Sequence, residues 1–390
     1  MITTIGTYLP PWAGRTGRRA GPDEDAVTLA VAAGRLALGA ATGQVVGRVV
    51  LISRELPLLE GGNSAALTAG LGLPRGVRVV EQLGGAAATL DALLESPVAT
   101  LVIGADAGEP AGAAAAVVGA GGLDVRYVSR INRSLPVRSR DRAGGFHDYE
   151  DPRLLRDRGA LASLAELGHP KLDVVAGVGG REAGDLSSGS PLDLPTVGAS
   201  SVLFALAGAA FSPGAVLAAV DQASVTVVEL DGGHVAVRRD ERAARPAPPL
   251  TLTPGPPIPV SLSAYDRAFR AKLGWRASTD ADTGELRFPP RPHGAVRDAA
   301  GEVVLVDLPR RGEVYTSSTV NVPVPGKATP YQLVIVELDG IGVRALASTT
   351  GTAAAVAIGA PGEMVLRRIE IRSGIPDYGY AFRPDQEITV

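Results

Sequence analysis

Residues 2–9, ITTIGTYL, followed by residues 21–38, GPDEDAVTLAVAAGRLAL, set the pattern for the first half of the chain. The first stretch is β-branched and uncharged, as a buried strand is. The second puts acidic residues ahead of an Ala- and Leu-rich run, which predicts a helix over 23–38 with Asp23, Glu24 and Asp25 at its positive end. Working outward, the same alternation continues. Strands are expected at 47–53, 77–80, 99–104 and 111–118, with helices at 63–73 and 86–95 between them. It then starts again: strands at 125–131, 172–177, 192–197, 216–220 and 224–230, and helices at 152–167 and 200–211. Asp151 is placed to cap the first of these helices and Gly168 to stop it. Two strand–helix halves of similar length predict a duplicated α/β domain of parallel-rich sheets covered by helices.

Residues 240–260, DERAARPAPPLTLTPGPPIPV, break this rhythm, because repeated Pro blocks both helix and central strand. The expected organisation is therefore an α/β domain over 1–239, a Pro-rich linker over 240–260 and a third part over 261–390. After an amphipathic helix at 263–273, the third part shows short strands at 312–320, 331–338, 342–349 and 363–372, with a turn at Asp339-Gly340. That is the pattern of a small all-β barrel.

Composition removes several function classes. The 390 residues are 45% hydrophobic and 20% charged, which is a globular balance. The net charge of −3 argues against a nucleic-acid partner. No apolar run is long enough to span a membrane and no leader pattern opens the chain, so the expectation is a cytoplasmic protein. There is no Cys, which excludes disulfides, thiolate metal sites and a cysteine nucleophile. The four His residues are too scattered for a local metal motif.

The densest group of reactive side chains is GGFHDYEDPR, 144–153, where His147 suits proton transfer near neutral pH and Tyr149 suits donation to an oxyanion. The alternative is a polar loop that ends by capping the next helix. Arg126, Arg130, Arg133, Arg138, Arg140 and Arg142 form a basic run. Arg138, Arg140 and Arg142 are candidate contacts for the phosphates of CoA or phosphopantetheine, with a solvated face as the competing reading.

The stretches TIGTYLPPW (4–12), GPDEDAVTLAVAAGRLAL (21–38), GRVVLISRELP (47–57), TLVIGADAGEP (100–110), AAAAVVGAGG (113–122), KLDVVAGVGG (171–180) and PTVGASS (195–201) resemble bacterial and archaeal 3-hydroxy-3-methylglutaryl-CoA synthases. The resemblance implies the thiolase-like duplicated fold, here shortened. The C-terminal part resembles the OB-fold family associated with acyl-CoA enzymes, domain of unknown function 35. The residues that carry it are YDRAFRAKLGW (265–275), GELRFPPRP (284–292), RRGEVYTSSTV (310–320), YQLVIVELDGIGVRAL (331–346) and YGYAFRP (378–384). That family carries a zinc ribbon between helix and barrel. Its Cys pairs would fall near Asp280 and Thr283, and near Gly294 and Arg297, so the resemblance implies a ribbon remnant without zinc. Tyr378 and Tyr380 are expected to pack the barrel.

By the same resemblance the synthase nucleophile would fall near Leu83 or Gly84, its His near Val178 and its Asn at Ala199, none of which carries the needed group. Glu55 stands where the family carries its acid/base carboxylate. As a residue it is either that group or a solvated strand-end carboxylate, and in the first case apolar neighbours at Leu56, Leu58 and Leu59 would desolvate it. Two readings remain open. One is an accessory or scaffold protein that binds an acyl thioester of CoA or a carrier protein, with no covalently held cofactor. The other is a Cys-independent enzyme, a retro-aldol lyase or acyl-transfer or condensation catalyst, using Glu55, His147 and Tyr149. The resemblance also implies a homodimer, or a heterodimer with an intact thiolase-fold protein, joined through the strand at 99–104.

Overall fold

The structure is a computed structural model that describes residues 1–385 apart from 42, 60, 134, 136–137, 141–144, 150, 169–171, 209–210, 248, 255–258, 260, 262, 264–271, 323–327 and 352–355. The helix expected at 263–273 and Arg142 thus lie wholly or mainly outside the described residues. The chain divides into two units. The first holds residues 1–20, 29–64 and 73–245, and the second holds 21–28, 65–72 and 246–390.

The elements of the first part run, in chain order, β1 (Ile2–Tyr8), β2 (Trp12–Ala13), β3 (Arg18–Arg19), α1 (Ala26–Ala40), β4 (Arg48–Ser53), α2 (Ser64–Leu71), β5 (Arg78–Leu83), α3 (Ala86–Glu95), β6 (Thr100–Asp106) and β7 (Gly112–Val118). They continue as β8 (Asp124–Ile131), β9 (Arg138–Arg140), β10 (Phe146–Asp148), α4 (Pro152–Arg158), α5 (Ala160–Glu166), β11 (Val174–Ala176), α6 (Gly180–Leu186), α7 (Ser201–Gly208), β12 (Ala215–Asp221), β13 (Ser224–Asp231) and β14 (Ala236–Asp240).

Two mixed sheets result. One has the order β14-β1-β7-β6-β4-β5 and the other β11-β12-β13-β8. Helices α3 and α7 pack on each other between the sheets. α3 touches β4 and β6 on one side and β8, β12 and β13 on the other, while α7 touches β1, β7 and β11. Helix α1 lies on the outer face of the first sheet, where Thr4 Oγ1 donates to the carbonyl of Ala37 at 3.0 Å. Helices α5 and α6 cover the outer face of the second. This five-layered, duplicated α/β arrangement is the thiolase-like fold. Its sequence basis is burial on every side: β7 is GAAAAVV, buried throughout, and its small residues let α7 approach. Burial of each large side chain such as Leu203 or Phe204 contributes about 2 kcal/mol.

Several expectations need correction. The helix expected at 152–167 is two helices, because Gly159 takes an extended conformation between them. Residues 192–197 form no strand. The acidic residues do not lie in the first turn of α1 but precede it. Asp25 is its cap: its Oδ1 accepts the N–H groups of Val27 at 3.1 Å and Thr28 at 3.0 Å, and Thr28 Oγ1 accepts from the Asp25 N–H at 2.8 Å. The strand β6, expected to join two subunits edge to edge, is interior. It pairs with β4 on one side and β7 on the other, so it has no free edge to offer.

The second unit contains β15 (Thr251–Leu252), β16 (Arg276–Thr279), β17 (Leu286–Arg287), β18 (Leu305–Asp307), β19 (Arg311–Val320), β20 (Ala328–Thr329), β21 (Tyr331–Leu338), β22 (Arg344–Ser348), β23 (Pro361–Arg372) and β24 (Ile375–Pro384). The order β22-β21-β19-β23-β24 is closed toward a barrel where the Thr350 N–H donates to the carbonyl of Phe382 at 3.0 Å. Strand β21 alternates strictly, with Gln332, Val334, Val336 and Leu338 inward. Tyr378 and Tyr380 are buried in the barrel wall.

A three-stranded sheet, β17-β16-β18, occupies the ribbon position. There the buried Asp280 accepts from the Thr283 N–H at 2.9 Å and Oγ1 at 3.1 Å, and pairs with Arg287 at 2.6 Å. The Thr283 amide is the main cause that holds its carboxyl below the ordinary range. Arg297 donates to the carbonyls of Gly301 at 2.5 Å and Pro292 at 3.3 Å. A carboxylate and a guanidinium, each held by neighbours, thus stand at two of the four positions where the resemblance implies a Cys.

Residues 21–28 bring three carboxylates against β23. Glu24 and Arg367, each nearly fully buried, pair at 3.2 Å, and Arg367 lies 3.4 Å from Asp23. Burial pushes the Asp23 carboxyl up to about 6, against the opposing pull of Arg367. The folded chain therefore holds a proton that the unfolded chain releases between about pH 4 and 6. Stability from this group falls as pH rises through that window and stays low above it. Asp23→Asn cannot ionise, so its stability relative to wild type should improve by on the order of 2 kcal/mol between pH 4 and pH 7. Thermal melts across pH measure this; a difference that stays flat would show that Asp23 is not protonated by burial.

Candidate functional site

Helices α3 and α7 are the paired elements of the duplication, and each leads into a strand of seven residues. Helix α3 leads to β6, TLVIGAD, and α7 leads to β12, AVLAAVD. Both strands end in Asp, and each Asp accepts N–H groups immediately ahead of the helix of the other half. Asp221 Oδ2 accepts the N–H of Gly85 at the start of α3, at 2.8 Å. Asp106 accepts from the N–H groups of Ala199 at 2.7 Å and Ser200 at 2.9 Å, and from Ser200 Oγ at 2.6 Å, at the start of α7. Thr196 Oγ1 lies 2.8 Å from Ser200 Oγ and extends this network.

Arg54, at the end of β4, locks the arrangement. Its Nη2 donates to Asp221 Oδ1 at 2.6 Å, and its charge also acts on Asp106. Each helix start carries roughly half a positive charge. Two carboxylates and one guanidinium are thus balanced by two helix ends. Burial is the largest influence on Asp106 and raises its carboxyl pKa, opposed by the Ser200 and Ala199 donors and by Arg54.

The start of α3 is also where the family resemblance puts the nucleophile. A side chain does not fit there. A Cβ on Gly85 would lie 2.6 Å from Arg54 Nη2 and 2.7 Å from Asp221 Oδ2, and a Cβ on Gly84 would collide with Ala88. Leu83 is 62% exposed and points no group inward. Ala199, at the Asn position, is fully buried and gives its N–H to Asp106. Val178, at the His position, packs against the apolar core on the outer face of the second sheet. Gly177 beside it has φ +94°, and a Cβ there would meet Ala86 of α3 at 2.8 Å, so the backbone closes this side too.

The other sequence candidates lie as follows. Glu55 is exposed beside Gly108, not desolvated by Leu56, Leu58 and Leu59; its N–H donates to Ser53 Oγ at 3.1 Å. Of those leucines only Leu56 is buried, and Leu59 is 51% exposed. His147 is exposed in the β9–β10 hairpin. Tyr149 is exposed with its hydroxyl 3.3 Å from Asp151, and Asp151 accepts the Arg153 N–H at the start of α4 at 2.9 Å. The loop therefore does cap the next helix. The first half of the basic run is internally neutralised: Arg126 pairs with Glu229 at 2.6 Å, Arg130 with Asp91 and Arg133 with Glu166. Arg138 and Arg140 lie on β9, opposite Asp148 and Phe146 in register.

Sequence reasoning missed Arg54, Asp106, Asp221 and Ser200. The available signal was the matching terminal Asp of two equivalent apolar strands, which only an alignment of the two halves would expose. Among the described residues no group of three or more His, Asp or Glu side chains is arranged to hold a metal. Nor is any described helix long and apolar enough to cross a membrane.

Residues 305–367 match the family described as "ChsH2, C-terminal OB-fold domain". Among solved structures the chain is similar to 3-oxoacyl-[acyl-carrier-protein] synthase III from Aquifex aeolicus VF5, at 17% identity over 59% of this chain and 99% of that one, with a TM-score of 0.46. It is also similar to OleA from Xanthomonas campestris, at 14% identity over 59% of this chain and 97% of that one, TM-score 0.46. A third similar structure is the priming β-ketosynthase of the R1128 polyketide pathway, at 17% identity over 59% and 95% of the two chains, TM-score 0.45. No curated protein matches the sequence.

The two caps differ in what their neutralisation leaves behind. Asp221→Ala strands both Arg54 and the Gly85 N–H and should cost about 2 kcal/mol in urea unfolding. Asp106→Asn replaces one accepting oxygen with an amide NH2 that faces the Ala199 or Ser200 N–H, and should also cost about 2 kcal/mol. Either variant unfolding within about 0.5 kcal/mol of wild type would contradict the caps.

Proposed function

We propose that the chain is a non-catalytic member of the thiolase-like class, an accessory or scaffold protein that binds an acyl thioester of CoA or of a carrier protein. The observation that supports this most directly is the filled start of α3. A thiolate or oxyanion formed there would meet Asp221, which already accepts the Gly85 N–H and pairs with Arg54. The duplicated fold is kept around a position that no nucleophile occupies.

The thioester's phosphates would meet Arg138, Arg140 and Arg142, while Arg126, Arg130 and Arg133 are engaged in ion pairs. A partner with an intact thiolase-like site would supply the chemistry, in a heterodimer. The competing enzyme reading rests on Glu55, His147 and Tyr149. All three are exposed.

Two measurements test the proposal. Incubation with acetyl-CoA or acetoacetyl-CoA should leave the intact mass unchanged; a stable acyl adduct would mean that another nucleophile operates. Calorimetric titration with CoA thioesters should show binding, and Glu55→Gln should alter its affinity by no more than about twofold, as for an exposed carboxylate outside the contact. Absence of binding to every CoA and carrier-bound thioester would overturn the proposal. Turnover that Glu55→Gln abolishes would favour the enzyme instead.

A further inference from the structure

Three neighbouring strands of the first sheet open on polar side chains. Arg48 begins β4, Arg78 begins β5 and Thr100 begins β6. The strands run parallel, with Arg48 in register with Arg78 on one side and with Thr100 on the other. Residues in register leave a sheet on the same face. Here it is the face that carries Val50, Ile52 and Val102, which belong to the core formed with α3 and α7. The apolar face thus ends in two guanidiniums and a hydroxyl.

None of the three side chains has a partner among the described residues. Arg48 Nε and Thr100 Oγ1 are buried without a hydrogen bond, and Thr100 is wholly buried. No described carboxylate pairs with Arg48 or Arg78, and Glu95, which closes α3, pairs with neither. The far end of β4 is arranged differently. Arg54 follows the strand there and pairs with Asp221 at 2.6 Å. The two arginines bracket β4 about 20 Å apart, so Asp221 does not serve both. Like charges in register repel, and a buried donor left unmet is costly. A bound anion removes both penalties at once.

We propose that Arg48 and Arg78, with Thr100, form a binding site for a phosphate group. Two guanidiniums suit a dianion with several free oxygens, since each presents paired N–H donors to two of them. A single carboxylate brings one charge and two oxygens, and leaves one Arg unmet. Arg75, exposed in the turn ahead of β5, adds positive charge at this end of the strand. The site lies on the first sheet, on other elements than Arg138 and Arg140, and does not depend on the thioester reading.

Melting temperature measured against inorganic phosphate, with ionic strength held constant by chloride, tests the site. The wild-type chain should gain about 2 °C by ~10 mM phosphate and then level off, as filling of one site requires. Phosphate also stabilises proteins by exclusion from their surface, but that gain rises steadily without levelling off. Arg48→Gln and Arg78→Gln should each move the midpoint about tenfold higher in phosphate. Arg181→Gln removes one charge from the exposed surface of α6 and should leave the midpoint unchanged. In phosphate-free buffer the Arg48 and Arg78 variants should melt no lower than wild type, because each loses a charge that had no partner. Should Arg48→Gln fail to fold, Arg78→Gln carries the test, since Arg78 is exposed. Adenosine 3′,5′-bisphosphate separates the sources: a midpoint well below that of phosphate means a nucleotide-borne group, and an equal midpoint means the free ion. A gain that never levels off and is the same in wild type and variants would overturn the proposal. So would a dimeric wild type and a monomeric Arg78→Gln chain, both insensitive to phosphate, since the counter-anion would then be a carboxylate of a second copy.

Discussion

The first unit depends on how two buried helix starts find negative charge. Helices α3 and α7 lie between two sheets, and Gly85, Ala199 and Ser200, just ahead of their first turns, are buried. An unmet buried N–H would cost about 1–3 kcal/mol. The duplication supplies a common answer: the last residue of β6 and the last residue of β12 are both Asp, and each reaches across to the other half's helix. The exchange binds the two halves through charge as well as through the apolar core. It also dictates the glycine pair at 84–85, since any side chain there would displace Arg54, Asp221 or Ala88.

That constraint bears on function. A buried helix start is a general means of stabilising an anion, and here the amide ahead of α3 is taken by the chain's own carboxylate. The proposed non-catalytic role accords with the absence of Cys, with Ala at 199 and with Val at 178. The Ala199 N–H belongs to Asp106, and Val178 joins an apolar cluster. In the second unit, Asp280 is tied in the same way to Thr283 and Arg287.

Much of the fold was legible because burial on all sides leaves a plain trace. The strands β6, β7, β12 and β13 read as apolar runs and lie close to their expected limits. Strand β21 was legible from alternation. The residues at 192–197 read as a strand because they are apolar, yet they serve as the approach to α7, where Thr196 is buried for its hydroxyl. Strand β24, YGYAFRP included, was not among the expected strands; its Gly and Pro weaken the local strand signal, and its long pairing with β23 overrides that preference. The candidate site was the least legible. Asp106 and Asp221 stand 115 positions apart in sequence with unlike neighbours, and only the crossed geometry gives them a common role.

Amide hydrogen exchange at Gly85, Ala199 and Ser200 tests the crossed caps most directly. At neutral pH the account predicts that all three amides exchange as slowly as those of the buried strands β6 and β12, because each buried amide donates to a carboxylate. Exchange of all three at the rate of exposed loop amides would contradict it, and with it the claim that the helix ends are closed to a ligand.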